Sequence, residues 1–96
     1  MKNIDNLVYD MLIEKFSQRG THKLLILLLD KDLKTTDITA IIHPQTAYRA
    51  INVLKELGLI NVERREFNTR YHFLTDKGKK VALKLKEIEE LLQEEQ

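Results

Sequence analysis

Ninety-six residues, 43% apolar and 32% charged, suffice for one folded domain with a modest core. The lack of cysteine excludes a disulfide framework and a thiolate metal site, and a net charge of only +1 means that any attraction for a polyanion must come from local clustering. The longest apolar run, Leu24 to Leu29, is too short to span a bilayer, and Met1 to Gly20 carries Asp5, Asp10 and Glu14, so it is no signal peptide; a cytoplasmic protein is expected.

In chain order, a first helix is expected over about Asn3 to Gln18. Ile4, Leu7, Val8, Met11, Leu12 and Phe16 recur there at helical spacing, and Gly20 closes it. Thr21 is placed to cap a second helix holding Leu24 to Leu29, whose near-continuous apolar character implies burial on most sides. Asp30 to Lys34 ends that helix. Thr35 or Thr36 then caps a short third helix, about Asp37 to Ile42, with Ile38, Ile41 and Ile42 expected inward.

A fourth helix opens at His43. Pro44 suits a first helical position, where its missing N–H costs nothing. Ala47, Ala50, Ile51, Leu54 and Leu57 form one apolar stripe, and Gly58 stands where a residue of positive φ commonly ends a helix. Gln45, Thr46, Tyr48, Arg49, Asn52 and Lys55 fall off the stripe. They are not the Glu/Lys mixture of an ordinary solvated face; they bring an amide, a hydroxyl, a phenol and a guanidinium, groups that suit base edges and phosphates.

Two strands follow, about Leu59 to Arg65 and Thr69 to Leu74, joined by a turn at Glu66 to Asn68. Asn68 tolerates positive φ. In the second strand Tyr71 and Phe73 share one face and His72 and Leu74 the other, and either pair could be buried. Arg64, Arg65 and Arg70 gather around this turn. A solvated hairpin with Glu63 and Glu66 as partners is the plain alternative, but surface pairs contribute only about 0–1 kcal/mol, a weak reason to collect three arginines.

Thr75 caps the last helix, about Asp76 to Glu95. Val81, Leu85, Ile88 and Leu92 make a short heptad-like seam there. Its charges are segregated: five lysines and no acid from Lys77 to Lys86, then five glutamates and no base from Glu87 to Gln96. That order opposes the helix dipole. Antiparallel pairing with the same helix of a second copy would set lysines against glutamates along the seam.

A short helix, a tight turn, a helix with a polar start and a strand hairpin form a winged helix-turn-helix. At this point the chain resembles a known family. Thr46 to Ile60, TAYRAINVLKELGLI, is similar to the T-V-Y-R-x-L-x-x-L-x-x-x-G-L-I pattern of winged helix-turn-helix regulators. Leu74 to Ala82, LTDKGKKVA, resembles their L-T-x-x-G-x-x-x-A. The order of elements looks most like MarR-type regulators, including small archaeal and viral relatives. The pattern departs at Ile41 or Ile42, where glycine is frequent, at His43, where a Ser or Thr cap is usual, and at Asn68, where an acid often precedes the wing arginine.

The resemblance implies a mainly α (α+β) single domain in the order helix-helix-helix-helix-strand-strand-helix. Residues 1–20 and 76–96 would dimerise around a winged helix-turn-helix core at 21–75. It further implies a homodimeric regulator of transcription that binds double-stranded DNA. The family's contacts match Gln45, Thr46, Tyr48 and Arg49 for the major groove and Arg70 for the minor groove; the residues themselves add Asn52 and Lys55 to the helix surface and Arg64, Arg65 and Asn68 to the wing contact with minor groove or backbone. Ile4, Leu7, Val8, Met11, Leu12, Val81, Leu85, Ile88 and Leu92 would lie in the dimer interface. No cofactor or membrane partner is implied. His22, His43 and His72 share no helix face, and no nucleophile–base spacing or Gly-rich phosphate loop occurs, so neither a metal site nor an enzyme is expected. The competing reading from another class is a protein-interaction or architectural winged-helix module that does not read sequence.

Overall fold

The structure is a computed structural model that describes residues 11–94. Its first described helix, α1, is Leu12–Phe16; the remainder of the expected first helix, with Ile4, Leu7 and Val8, lies outside the described residues. Helix α2 is Thr21–Asp30. The expected cap at Thr21 is not what starts it. Gly20, at φ 87°, is the N-cap, and Thr21 is the first helical residue, fully buried. A buried hydroxyl must find a partner, and that of Thr21 donates backward to the carbonyls of Phe16 and Gln18, the latter at 2.8 Å. The apolar run sorts into fully buried Leu24, Leu25 and Leu28 and half-buried Ile26, Leu27 and Leu29.

A two-residue strand absent from the expected order follows. Strand β1, Leu33–Lys34, precedes helix α3, Thr35–Ile41. The cap of α3 is not a threonine hydroxyl either: the Asp37 carboxylate accepts the Lys34 N–H at 3.0 Å. Ile38 and Ile42 are buried as expected, but Ile41 is 46% exposed. The chain leaves the helix at Ile42, which in extended conformation turns inward, while Ile41, the last helical residue, stays toward solvent.

Helix α4 is Pro44–Glu56, strand β2 Ile60–Arg64, strand β3 Arg70–Leu74 and helix α5 Asp76–Gln93. A three-residue turn, Glu66–Asn68, closes the β2–β3 hairpin, with Phe67 and Asn68 at positive φ. The sheet is antiparallel in the order β1-β3-β2, with Leu33 opposite His72 and Ile60 opposite Leu74. The faces left open by the sequence are thereby decided: His72 and Leu74 turn inward, Tyr71 and Phe73 are half-exposed. The core lies where α2, α3, α4 and the sheet meet, around Leu24, Leu25, Ile38, Leu54 and Ile60.

The join between α4 and α5 holds the wing in place. Gly58, at φ 74°, ends α4 as expected. The Thr75 hydroxyl accepts the Gly78 N–H at 2.9 Å, capping α5, and donates to the Gly58 carbonyl at 2.7 Å, while the Thr75 N–H reaches the Leu59 carbonyl at 3.0 Å. Helix and chain approach so closely that a Cβ on Gly78 would lie 1.8 Å from the Leu59 oxygen. The glycine and threonine of LTDKGKKVA therefore have one shared cause, the packing of α5 on the root of the wing, and Ala82 is fully buried in the core. Among the described residues no helix is long and apolar enough to cross a membrane.

Candidate nucleic-acid interface

Helix α4 is amphipathic in the sense the sequence implied. Ala47, Ala50, Ile51 and Leu54 are buried, with Leu57 half-buried just beyond the helix, and Val53 extends the buried arc. Gln45, Tyr48, Arg49, Asn52 and Lys55 are exposed along the other side. Thr46 is different: it is half-buried, with its methyl packed over Gly20. Glu56, a conceivable partner for Arg49, is instead paired with Lys15 of α1.

The turn before α4 uses other means than the family pattern. Ile42 and His43 are extended, so no glycine is needed there. His43 does the work of the usual Ser or Thr, its Nδ1 accepting the Gln45 N–H at 3.3 Å.

Alternation along the wing divides its three arginines. Ile60, Val62 and Arg64 of β2 stand opposite Leu74, His72 and Arg70 of β3, on the face turned to α4. Arg64 and Arg70 thus form a cross-strand pair of like charge, an arrangement that destabilises an isolated sheet. The Arg64 guanidinium also donates to Asn68 Oδ1 at 3.1 Å. Arg65 is turned the other way. It is bound to Glu63 at 2.6 Å and Asp32 at 2.7 Å, with its guanidinium 4.6 Å from the Tyr71 ring centre. It ties the wing to the loop after α2 and stands apart from the other two arginines.

Between α4 and the wing lies an open concavity of about 630 Å³, into which Tyr48, Asn52 and Lys55 come from the helix and Arg64, Arg70 and His72 from the sheet. Three cations thus converge on one hollow with an amide and a phenol beside them; Glu63, whose carboxylate is paired with Arg65, also borders it. His72 forms part of its wall, only 4% exposed, with Nε2 2.9 Å from the Thr35 hydroxyl and Nδ1 buried without a partner. Burial first, then Lys55 and Arg70, pushes its pKa below the ordinary value. Asp32 and His72 were not singled out in the sequence for these roles. Their signal is tertiary, because each partner lies more than thirty residues away. Among the described residues, no group of three or more His, Cys, Asp or Glu side chains converges as a metal site would require.

A second surface is apolar. Met11, Leu12 and Ile13 of the α1 region and Leu83, Ile88, Leu91 and Leu92 of α5 are exposed, while Val81 and Leu85 are half-buried. The α1 and α5 residues border common grooves, one of them about 450 Å³ and walled by Ile13, Phe16, Ile26, Leu85, Ile88 and Leu92.

No protein-family model matches the chain, and no curated protein matches it by sequence. Solved structures do match. The transcriptional repressor BigR from Xylella fastidiosa is similar at 22% identity over 96% of this chain and 91% of that one, with a TM-score of 0.68. The adhesin competence repressor AdcR from Streptococcus pyogenes is 23% identical over 93% and 72%, with a TM-score of 0.69. A MarR transcriptional regulator from Methanosarcina mazei is 24% identical over 88% and 70%, with a TM-score of 0.68. The chain has the winged-helix fold of these regulators, with the third, two-residue strand β1 completing its sheet.

Proposed function

We propose that the protein is a homodimeric transcription regulator that binds double-stranded DNA by sequence, working in the cytoplasm. The observation that carries this reading is the cross-strand pair Arg64–Arg70 facing Lys55, Asn52 and Tyr48 across one hollow. Like charges set opposite one another cost stability unless an external anion completes them, and a phosphate backbone is such an anion. Gln45 and Arg49, exposed at the start of α4, would enter the major groove, with Arg49 placed for guanine. Thr46 supports the pose of the helix by packing on Gly20. Arg70, with Arg64 and Asn68 beside it, would meet the backbone or minor groove. Arg65 contributes by holding the wing. The apolar surface of α1 and α5, with its segregated lysines and glutamates, supports an antiparallel two-fold partner, and two recognition helices would then read half-sites about 34–36 Å apart or a multiple of it.

The test is selection of bound duplexes from random DNA, followed by titration at several salt concentrations. Affinity should fall steeply with salt as counterions are released. Arg49→Ala should weaken binding to the selected site by about 1–3 kcal/mol. Unchanged binding after Arg49→Ala and Arg70→Ala together refutes the proposed surface. No binding at any salt would point to a protein-interaction module, and salt-sensitive but sequence-indifferent binding to an architectural one.

A further inference from the structure

Phe67 sits at the tip of the wing with 97% of its surface exposed. Its backbone is left-handed, φ 57° and ψ 30°, and Asn68 follows at φ 60°. Asparagine tolerates that region; a bulky ring does not, and glycine would close the same turn without strain. The turn is nonetheless held shut. The Arg65 N–H bonds the Thr69 carbonyl at 2.9 Å, the Asn68 N–H the Arg65 carbonyl at 3.0 Å, and the Thr69 N–H the Glu66 carbonyl at 3.1 Å. The wing therefore keeps a strained, apolar side chain in water, where it buries almost nothing of itself. Strain that the surrounding structure enforces without a packing return is a reason to look for a ligand.

The surroundings say which ligand. Directly behind the tip stand Arg64 and Arg70, paired across the strands on the face turned to α4. An apolar point flanked by cations complements a nucleic-acid groove, whose walls are phosphates and whose floor is stacked base pairs. A flat anionic surface fits less well, because the same two arginines share a hollow with Tyr48, Asn52 and Lys55 of the helix. We infer that Phe67 is an apolar wedge, inserted by the wing into a base step of double-stranded DNA while Arg64 and Arg70 hold the flanking phosphates, so that the bound duplex is kinked. The inference rests on the DNA-binding reading above. Apolar side chains used in this way unstack a step and bend the duplex toward the major groove. Flexible pyrimidine–purine steps accept such a kink most easily, so the wing would add specificity at a position it reads by deformability alone.

The experiment uses the full chain and a duplex selected by it from random DNA, with a fluorescence donor and acceptor at the ends and 2-aminopurine at the pyrimidine–purine steps. Binding should bring the ends together and raise the 2-aminopurine emission at one step in each half-site. Phe67→Gly should remove both signals and weaken binding roughly tenfold, the size of one lost stacking contact. Its melting temperature should equal or exceed that of the unaltered protein, because the turn is relieved. Phe67→Leu should keep most of the bend, since leucine also serves as a wedge. A protein that binds the duplex without bending it overturns the wedge and leaves the DNA-binding reading standing; no binding to any duplex overturns both. Phe67→Gly that bends DNA as well as the parent, or that merely lowers the melting temperature, also overturns the wedge. Binding to anionic lipid vesicles that is lost in Phe67→Gly, with DNA bending intact, replaces it with a membrane contact.

Discussion

Replacing Gly78 by alanine gives the sharpest test of how the wing is anchored, because two physical effects predict opposite signs. In an exposed stretch of helix, Gly→Ala stabilises by about 1 kcal/mol through helix propensity alone. Here the new Cβ would lie 1.8 Å from the Leu59 carbonyl oxygen, 2.8 Å from its carbon and 3.2 Å from its Cα. Real Cβ atoms essentially never come within 3.0 Å of a neighbour, so the start of α5 must withdraw by more than 1 Å. The obstacle is backbone on both sides, with no flexible side-chain end to give way.

Withdrawal strains two hydrogen bonds of Thr75, the 3.0 Å bond to the Leu59 carbonyl and the 2.7 Å bond to the Gly58 carbonyl. Each such bond is worth about 0.5–1.5 kcal/mol. Overpacking of a tight contact adds about 1–3 kcal/mol. After subtracting the gain in propensity, Gly78→Ala should destabilise the fold by about 1–5 kcal/mol, which for a domain of this size is a fall in melting temperature of roughly 4–40 °C. Chemical denaturation with fluorescence or circular dichroism reads it directly. A variant as stable as the parent, or more so, would refute the close approach and with it the account of why glycine occupies this position.

Three further outcomes follow from the same structure. Gly58→Ala meets no atom within 4 Å but must hold φ at 74°, so it should cost only about 1 kcal/mol, from backbone strain, and Gly58→Asn less; equal losses at positions 58 and 78 would show that sterics do not distinguish them. His72 has a pKa below its ordinary 6.5 in the folded chain, so its neutral form contributes stability that is fully present above 6.5 and is lost as pH falls through that value toward the folded pKa. Denaturation midpoints should therefore drop more steeply from about pH 7 to pH 5 in the parent than in His72→Gln; parallel curves would contradict the burial argument. Ile88→Glu places a charge on the exposed seam of α5 and should turn a dimer into a monomer in sedimentation with the fold intact; a parent protein already monomeric at micromolar concentration removes the proposed interface.

Elements whose causes are local can be read from the order of residues alone. Pro44, the stripe from Ala47 to Leu57 and Gly58 specify one helix because period, start and stop agree. Asn68 marks its turn because its side chain tolerates positive φ, and Thr75 caps α5 through an N–H three residues ahead. The polar face of α4 was legible for the same reason: once the buried stripe is known, geometry assigns the rest. The features that depend on the fold have partners far along the chain. Strand β1 has two residues and no periodicity of its own, and exists because β3 offers it an edge. Thr21 reads as a helix cap, but burial turned its hydroxyl back to the preceding turn. Ile41 reads as core, yet Ile42 took its place when the chain straightened. The three wing arginines look equivalent in order; the pleat sends Arg64 and Arg70 to the helix side and Arg65 to Asp32. Local rules fix which residues can face together, and only packing between distant segments decides which face is inside.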